Sequence, residues 1–211
     1  HSYCFDLLGK VGTIEKSDQI IQETIKRIKC GDVEISRITK TVLVIDEAQD
    51  MNADEYGLIT ALMEQNEEMR IVAVGDDDQS IFEFRGASAR YMEHLIREKN
   101  ATTYEMLDNY RSKRNLVDFS NQFVEKISHR LKDNPIHAVQ GDLGRIKWTK
   151  HKGENLITPL VNEVLQEGFA GTTCILTRTN EEASQITGLL IKNGLRARLI
   201  QSNDGFDLFN L

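Results

Sequence analysis

Two short apolar runs, each followed by acidic residues, dominate the hydrophobic pattern of this chain. The run from Val42 to Ile45 leads into DEAQD, and the run from Ile71 to Val74 leads into GDDDQSIFEFRGA. Continuous apolar runs of this length are typical of strands that are buried on both faces, as in a parallel sheet. Between them, Asn52 or Asp54 suits a helix start, and Tyr56 to Met63 supplies an apolar face. The pattern therefore predicts a strand–helix–strand unit with parallel strands.

The same rhythm of strands and helices extends along the rest of the chain. A helix is predicted over 17–30, with Ser17 as its N-cap and Gly31 as its stop. Further helices are predicted over 87–98, 113–129, 155–167 (broken near Pro159) and 181–194. Further strands are predicted over 102–107, 144–150, 174–180 and 195–201. Residues 130–144 resemble a linker. Strands alternating with helices predict an α/β fold, here in two halves of about 1–100 and 101–211.

Composition narrows the class of protein only slightly. The chain has 211 residues, of which 40% are hydrophobic and 28% charged, as in ordinary globular proteins. No apolar stretch approaches the ~20 residues that a membrane span needs. The net charge of −7 argues against nucleic-acid binding by bulk charge, but it leaves room for a local basic or aromatic cleft. Three cysteines without a CxxC pair predict buried free thiols in a reducing compartment.

The acidic residues that follow the two central strands form the first candidate site. Because the carboxyl ends of parallel strands meet at one sheet edge, where α/β proteins bind ligands, these side chains should lie together. They are Asp46, Glu47, Asp76, Asp77 and Asp78. Crowded carboxylates repel one another unless a cation or a basic ligand offsets their charge. Mg²⁺ with a nucleotide phosphate is the natural candidate.

Three segments in this order resemble helicases of the UvrD/Rep type, in superfamily 1. They are VIDEAQD, VGDDDQSIFEFRGA and LDNYRS, and the second is the most specific. The first residues, HSYCFDLL, resemble the end of an earlier motif, and CILTRTNEEA with LRARLIQSNDGF resembles the start of the second motor lobe. The resemblance implies parts of two RecA-like P-loop NTPase lobes, each a parallel sheet flanked by helices. Residues 1–100 would be the C-terminal part of the first lobe, and 101–211 the N-terminal part of the second.

The resemblance also implies roles at an ATP site. Asp46 would hold Mg²⁺ through its water shell, and Glu47 would polarise the attacking water in phosphoryl transfer. Gln79 would sense the γ-phosphate and couple it to movement, and Arg111 would reach the γ-phosphate across the lobe interface. Tyr110 would stack on the adenine. The alternatives are a solvated acidic turn at the first strand end and a core position for the tyrosine.

Contacts with single-stranded DNA are implied for a second group of residues. They are Phe82, Phe84, Arg85, Arg178, Asn180 and Ser2. Aromatic side chains in a cleft stack on bases with little sequence preference, and Phe84 stands where the family usually has tryptophan. The alternative for Phe82 and Phe84 is packing at the lobe interface. Arg85 could hold a phosphate or pair with the acidic cluster, and the sequence leaves both open.

Two departures from the family pattern limit these expectations. The chain contains no GxxxxGK[ST] loop, which cradles phosphates, and it lacks the family's later motifs. Truncation of a longer chain would explain both missing features. The fragment alone is therefore expected to be inactive as an ATPase. The short interval between Ser2 and Asp46 predicts that the accessory domain of the first lobe is absent or vestigial. This argues against strong duplex unwinding.

The leading hypothesis is a fragment of an ATP-dependent DNA helicase or translocase that uses ATP and Mg²⁺. The resemblance implies movement in the 3′→5′ direction on single-stranded DNA, a bacterial-type cytoplasmic location and work in DNA repair. The alternative is a degenerate helicase-like module that binds DNA or regulates without ATP turnover. An unrelated metal-dependent phosphatase would explain neither FEFRGA nor NYRS. The oligomeric state is left open by the sequence.

Overall fold

Two pairs of parallel strands organise the protein. The computed structural model describes residues 1–8, 17–153, 155–168 and 171–200. The chain divides into two units, His1–Arg145 and Ile146–Leu211. The first contains α1 (Ser2–Leu8), α2 (Ser17–Cys30), α3 (Ile35–Ile38), β1 (Val42–Ile45), α4 (Ala53–Gln65), β2 (Arg70–Ala73), α5 (Arg90–Arg97), β3 (Asp108–Lys113), α6 (Arg114–Val124) and β4 (His137–Gln140). The second contains α7 (Ile157–Glu167) and α8 (Asn180–Lys192). The predicted α/β class is confirmed.

The central unit is β1–α4–β2, as predicted. β1 and β2 pair in parallel, with Val44 opposite Val72, and α4 connects them. Asn52 caps α4 in a capping box: its side chain accepts hydrogen bonds from two backbone N–H groups, and the Glu55 side chain accepts one from the N–H of Asn52. This cap fixes where the chain turns away from the end of β1.

The prediction that β1 and β2 are buried on both faces is wrong. On one face, half-buried side chains of the strands pack against a core built mainly by α4 and α5; the core residues are Ala48, Met51, Ile59, Tyr91 and Leu95. On the other face Val42, Val72 and Val74 are exposed, and Val44 is 64% exposed. Side chains alternate between the two faces of a strand, so one covered face buries only every second residue.

Helix α2 supplies the second part of the core in this unit. Ile20, Ile21 and Ile28 are buried on one face, with Thr24 between them, and Gly31 ends the helix at a φ of +75°. Thr24 can be buried because its hydroxyl donates a hydrogen bond to the carbonyl of Ile20 at 2.7 Å. The predicted face and stop of this helix are confirmed.

The prediction for residues 102–140 is wrong in two places. The strand lies at Asp108–Lys113 instead of 102–107, and its parallel partner His137–Gln140 falls in the stretch that was predicted to be a linker. The hydrogen bonds that define these strands join residues far apart in sequence, which apolar periodicity does not detect. α6 ends at Val124, earlier than predicted, and buries Val117 while Phe119 and Phe123 stay exposed.

The second unit consists of two packed helices in the described ranges. Val161 of α7 packs with Ile186 and Leu190 of α8. Pro159 lies in the first turn of α7, where a missing N–H breaks no helical bond, so the predicted break is wrong. The segments 144–150, 174–180 and 195–200, predicted as strands, form no strand there; residue 201 lies outside the described residues.

The three cysteines are free, as expected, but only Cys4 is buried; Cys30 and Cys174 are exposed. The prediction of buried thiols is therefore wrong for two of them. Among the helices of the described ranges, none is long and apolar enough to cross a membrane.

Candidate functional site

The end of β1 places two acidic side chains on a strained turn. Glu47 adopts a left-handed backbone conformation, with φ at 50° and ψ at 46°, and a 3₁₀ turn over Ala48–Asp50 follows it. The backbone N–H of Glu47 donates to Oδ1 of Asp46 at 3.0 Å. A left-handed conformation is unusual for a residue with a side chain, and such conformations cluster at functional sites. Both carboxylates are exposed at the carboxyl end of the strand.

Gln49 connects this turn to the end of β2. It is only 2% exposed, its Nε2 donates to Oε2 of Glu47 at 2.8 Å, and its Oε1 accepts from the N–H of Asp76 at 3.0 Å. Gly75 allows the approach, because a Cβ there would lie 2.7 Å from Oε1 of Gln49. Gln49 was not among the predicted site residues. Its position in DEAQD, two residues after the predicted water-polarising group, was the signal that could have identified it.

Backbone hydrogen bonds extend the pairing of β1 and β2 into the loops of the site. The N–H of Val74 donates to the carbonyl of Ile45 at 2.8 Å, and the N–H of Ala48 donates to the carbonyl of Val74 at 2.9 Å. The two acidic loops therefore leave the sheet side by side, as the sequence predicts for neighbouring parallel strands.

The loop after β2 is a compact turn closed by its own side chains. Asp76 caps a 3₁₀ turn over Asp77–Gln79, with its Oδ1 accepting from the N–H of Asp78 at 3.1 Å. Nε2 of Gln79 donates to Oδ2 of Asp76 at 2.5 Å. The amide of Gln79 is exposed yet held by this carboxylate, so its position depends on that of Asp76.

The three aspartates of this turn form ion pairs with two basic residues from the segment before β4. Arg130 binds Asp78 in a bidentate pair, with Nε–Oδ1 at 2.7 Å and Nη2–Oδ2 at 2.8 Å. Lys132 forms ion pairs with Asp76, Asp77 and Asp78. Of the two ways in which the sequence allows such carboxylates to be offset, a cation or a basic ligand, basic side chains are observed for these three. No local pattern in the sequence predicts these basic partners, which lie 52 to 56 residues away along the chain.

Burial and charge act in opposite directions on these groups. Burial favours the neutral acid of Asp78, but hydrogen bonds from Arg130 and Lys132 outweigh it and lower the pKa of that carboxyl. Burial likewise favours neutral Lys132, but hydrogen bonds to Asp76 and Asp78 outweigh it and raise the pKa of its ammonium group. The ion pair between Lys132 and Asp78 is therefore favoured in its charged form.

Asp46 is the better candidate for a divalent cation. Oxygens of Asp76, Asp77 and Asp78 lie within 4.8 Å of one another, a spacing that suits a metal, but basic groups already occupy them. Asp46 is exposed and, in the described residues, takes one backbone hydrogen bond. An exposed carboxylate with a free oxygen fits Mg²⁺, which keeps most of its water ligands.

Downstream of Gln79, two phenylalanines and an arginine form a cluster in which Phe82 is half-buried and the other two side chains are exposed. The rings of Phe82 and Phe84 lie 6.1 Å apart, tilted by 51°, and the guanidinium of Arg85 lies 5.2 Å and 5.5 Å from their centres. Phe84 is 78% exposed. Gly86 follows with φ at +83° and ends the 3₁₀ turn over Glu83–Arg85. The alternative in which Arg85 pairs with the acidic cluster is not observed in the described residues.

Tyr110 and Arg111 lie on β3, and both are exposed. Tyr110 is 69% exposed, so the alternative that it is a core residue is wrong. Asn109 shapes this segment, because its Oδ1 accepts from the N–H groups of Arg111 and Ser112 at 3.0 Å and 2.8 Å. Within the described residues, no hydrogen bond or ion pair joins Arg111 to Glu47.

The remaining predicted site residues lie at helix starts. Ser2 begins α1, and Asn180 begins α8 directly after the cap residue Thr179. Arg178 precedes this cap, and all three predicted residues are exposed. The structure does not bring Ser2 into contact with the aromatic cluster among the residues that it describes.

Comparison with known protein families gives two adjacent matches. Residues 18–100 match the family model described as the UvrD/REP helicase N-terminal domain, and residues 104–210 match that of the UvrD-like helicase C-terminal domain. The family models thus meet near residue 100, whereas the division into units falls after Arg145. The predicted lobe boundary near residue 100 stays a prediction.

Similar proteins carry the names of DNA helicases. The chain is 35% identical over 154 residues to a protein named DNA helicase II from Haemophilus influenzae, covering 71% of this chain and 21% of that protein. It is 27% identical over 172 residues to ATP-dependent DNA helicase PcrA from Bacillus subtilis, covering 77% and 23%. It is 28% identical over 170 residues to ATP-dependent DNA helicase UvrD1 from Mycobacterium bovis, covering 75% and 22%. The chain therefore spans less than a quarter of the length of these relatives.

Proposed function

Because the chain belongs to the UvrD/Rep family of DNA helicases, we propose that it is part of an ATP-dependent DNA helicase or translocase. The complete protein couples ATP hydrolysis to 3′→5′ movement on single-stranded DNA. One observation supports this most: Gln49 joins Glu47 to the turn that holds Gln79, and that turn leads directly into the half-buried Phe82 and the exposed Phe84. A group suited to ATP chemistry and a group suited to base stacking are thus parts of one hydrogen-bonded loop system.

In the hydrolysis step, Glu47 polarises the water that attacks the γ-phosphate. Its carboxylate is exposed, and the hydrogen bond from Gln49 fixes one oxygen and leaves the other free for the water. Mg²⁺ bound through the waters around Asp46 would supply positive charge to the phosphate oxygens. Arg111 would add a guanidinium to the same phosphate, and Tyr110 offers an exposed ring to the adenine.

Coupling to DNA runs through the loop after β2. Gln79 approaches the γ-phosphate, and a change in its position is transmitted along residues 80–82 to Phe84. Phe84 and Phe82 stack on successive bases, while Arg85, held over both rings, presents its charge to the DNA backbone. Arg178, Asn180 and Ser2 are proposed as further backbone contacts. The protein acts in the cytoplasm, in DNA repair.

The deciding experiment is an ATPase assay of the complete protein with and without single-stranded DNA. The proposal expects turnover that requires Mg²⁺ and rises strongly when single-stranded DNA is added. The isolated 211-residue chain is expected to show negligible turnover. Single-stranded DNA binding without any turnover in the complete protein would instead support a degenerate helicase-like module. A strand-displacement assay with 3′ and 5′ overhangs tests the direction of movement.

A further inference from the structure

We propose that Lys132 and Arg130 are positioning residues for Gln79, because Lys132 binds the Asp76 carboxylate that holds the Gln79 amide and Arg130 binds Asp78 in the same turn. This inference rests on the proposed function, in which Gln79 responds to the γ-phosphate. Neither basic residue lies in the acidic or aromatic motifs that point to that function. Both come from the segment between α6 and β4, far along the chain from the turn that they bind.

The network is buried enough for its charges to matter. The side chain of Asp78 is 7% exposed and that of Arg130 is 19% exposed, and their bidentate geometry is the strongest form of such a pair. Exposed ion pairs contribute little because water replaces either partner, but removing one partner of a buried pair leaves an uncompensated charge. Loss of Lys132 would leave, in the described network, only the pair between Arg130 and Asp78, and Asp76 and Asp77 would lose their ion pairs.

A backbone contact sets the register between the two segments. The N–H of Leu131, between the two basic residues, donates to Oδ2 of Asp77 at 2.6 Å. Asn121 of α6 anchors the same segment by hydrogen bonds to the backbone of Ile136 at 2.8 Å and 3.1 Å. The acidic turn is therefore docked on a fixed structure and not on a freely moving side chain.

Asp76 is the residue through which Lys132 reaches Gln79. Its Oδ1 accepts from Lys132 and from the N–H of Asp78, and its Oδ2 accepts from Gln79. Its own N–H donates to Gln49, which holds Glu47. If Lys132 is removed, Oδ1 of Asp76 keeps the N–H of Asp78 but loses its charged donor, so the carboxylate that holds the Gln79 amide is less firmly oriented.

The turn and its basic partners match different family models. The acidic turn lies within residues 18–100 and the basic segment within residues 104–210, yet both belong to the first unit of the structure. The ion pairs therefore tie the part that carries Gln79 to the part that carries Arg111. A nucleotide-dependent shift of the turn would be transmitted directly through these ion pairs to the part that carries Arg111.

The test uses the complete protein with four variants. Lys132→Met removes the charge, Lys132→Arg keeps it, Gln79→Ala removes the amide, and Lys126→Met is the control on an exposed lysine of the same region. With saturating single-stranded DNA, Lys132→Met should lower kcat for ATP about tenfold with KM changed less than about twofold. Lys132→Arg should recover most of kcat, and the control should match the wild type.

Epistasis separates a positioning role from general loss of structure. If Lys132 acts through Gln79, the double variant with Lys132→Met and Gln79→Ala should turn over no more slowly than Gln79→Ala alone. Multiplying defects would overturn the proposal, and so would a wild-type kcat in Lys132→Met. Failure of Lys132→Arg to recover kcat would also count against it.

Hydrogen–deuterium exchange gives a readout that does not depend on turnover. The amides of residues 76–80 should exchange faster in Lys132→Met than in Lys126→Met, with Lys132→Arg close to the wild type. If the wild-type protein shows no DNA-stimulated ATPase, the proposed function fails, while exchange still shows whether Lys132 holds the turn. Unchanged exchange in Lys132→Met would overturn the positioning role whatever the ATPase result.

Discussion

Replacing Gln49 with methionine removes the link between the two acidic loops while it keeps the volume of a buried side chain. The N–H of Asp76 then loses its acceptor, and Glu47 loses its donor. A buried donor without a partner costs about 1–3 kcal/mol, which is the upper range for the partly buried amide of Asp76. Because Glu47 is exposed, water replaces its lost partner, so the larger effect on stability is expected at the amide of Asp76.

That energy converts into a measurable change in amide exchange. At about 1.4 kcal/mol per factor of ten, the Asp76 amide should exchange about 5 to 140 times faster. Exchange is followed by mass spectrometry on a peptide that spans residues 74–80. Turnover should also fall, by about tenfold, because an unoriented Glu47 spends less time in hydrogen-bonding reach of the attacking water.

Two further variants isolate the cause. Gln49→Glu keeps an acceptor for the Asp76 amide but places a like charge beside Glu47, so exchange at Asp76 should stay close to wild type while turnover falls. Gln65→Met, at the exposed end of α4, should change neither quantity. Exchange in Gln49→Met no faster than in Gln65→Met would refute the assignment of Gln49 as the link.

Three other predictions follow from the same structure. Glu47→Gln in the complete protein should abolish ATP turnover and leave nucleotide binding, measured by titration with a labelled nucleotide; retained turnover would exclude Glu47 as the water-polarising group. Phe84→Ala should weaken binding of single-stranded DNA by about 1–3 kcal/mol at fixed salt, whereas Ile81→Ala, equally exposed and on the same loop, should not. The stabilising effect of Asp78 should depend on pH in a defined direction. Because its pKa is lowered in the folded protein, the ion pairs stabilise the fold above about pH 4, the ordinary range of an aspartate, and lose that effect as pH falls through the lowered value. The difference in melting temperature between wild type and Asp78→Asn should therefore be constant near neutral pH and shrink below about pH 4; a difference that persists at low pH would mean that packing, not charge, is responsible.

The sequence was most informative where local patterns act alone. The apolar runs at Val42 to Ile45 and Ile71 to Val74, separated by a helix with a capping residue at Asn52, predict the parallel pair of strands. Gly31 and the apolar stripe of α2 likewise predict that helix and its end. Each of these features depends on neighbours within a few residues, which periodicity and capping chemistry describe well.

Prediction failed where partners are distant in sequence. The strand at His137–Gln140 lies in a stretch with the composition of a linker, and it forms because its backbone pairs with β3. The prediction that the strands are buried failed for the same reason. An apolar run indicates a buried strand, but only the packing of α4 and α5 determines that one face is covered. Neither outcome is encoded in a short window.

The same distinction between local patterns and distant partners applies to the candidate site. The order of acidic, amide and aromatic residues in DEAQD and GDDDQSIFEFRGA was enough to place Asp46, Glu47, Gln79 and Phe84 on two adjacent loops, because neighbouring parallel strands deliver their ends to one edge. The tertiary structure alone decided how those charges are balanced. Arg130 and Lys132 form ion pairs with the aspartate turn from more than 50 residues away, and a buried Gln49 joins the two loops. Charge pairing depends on distance in space, and in this chain the fold brings those residues together.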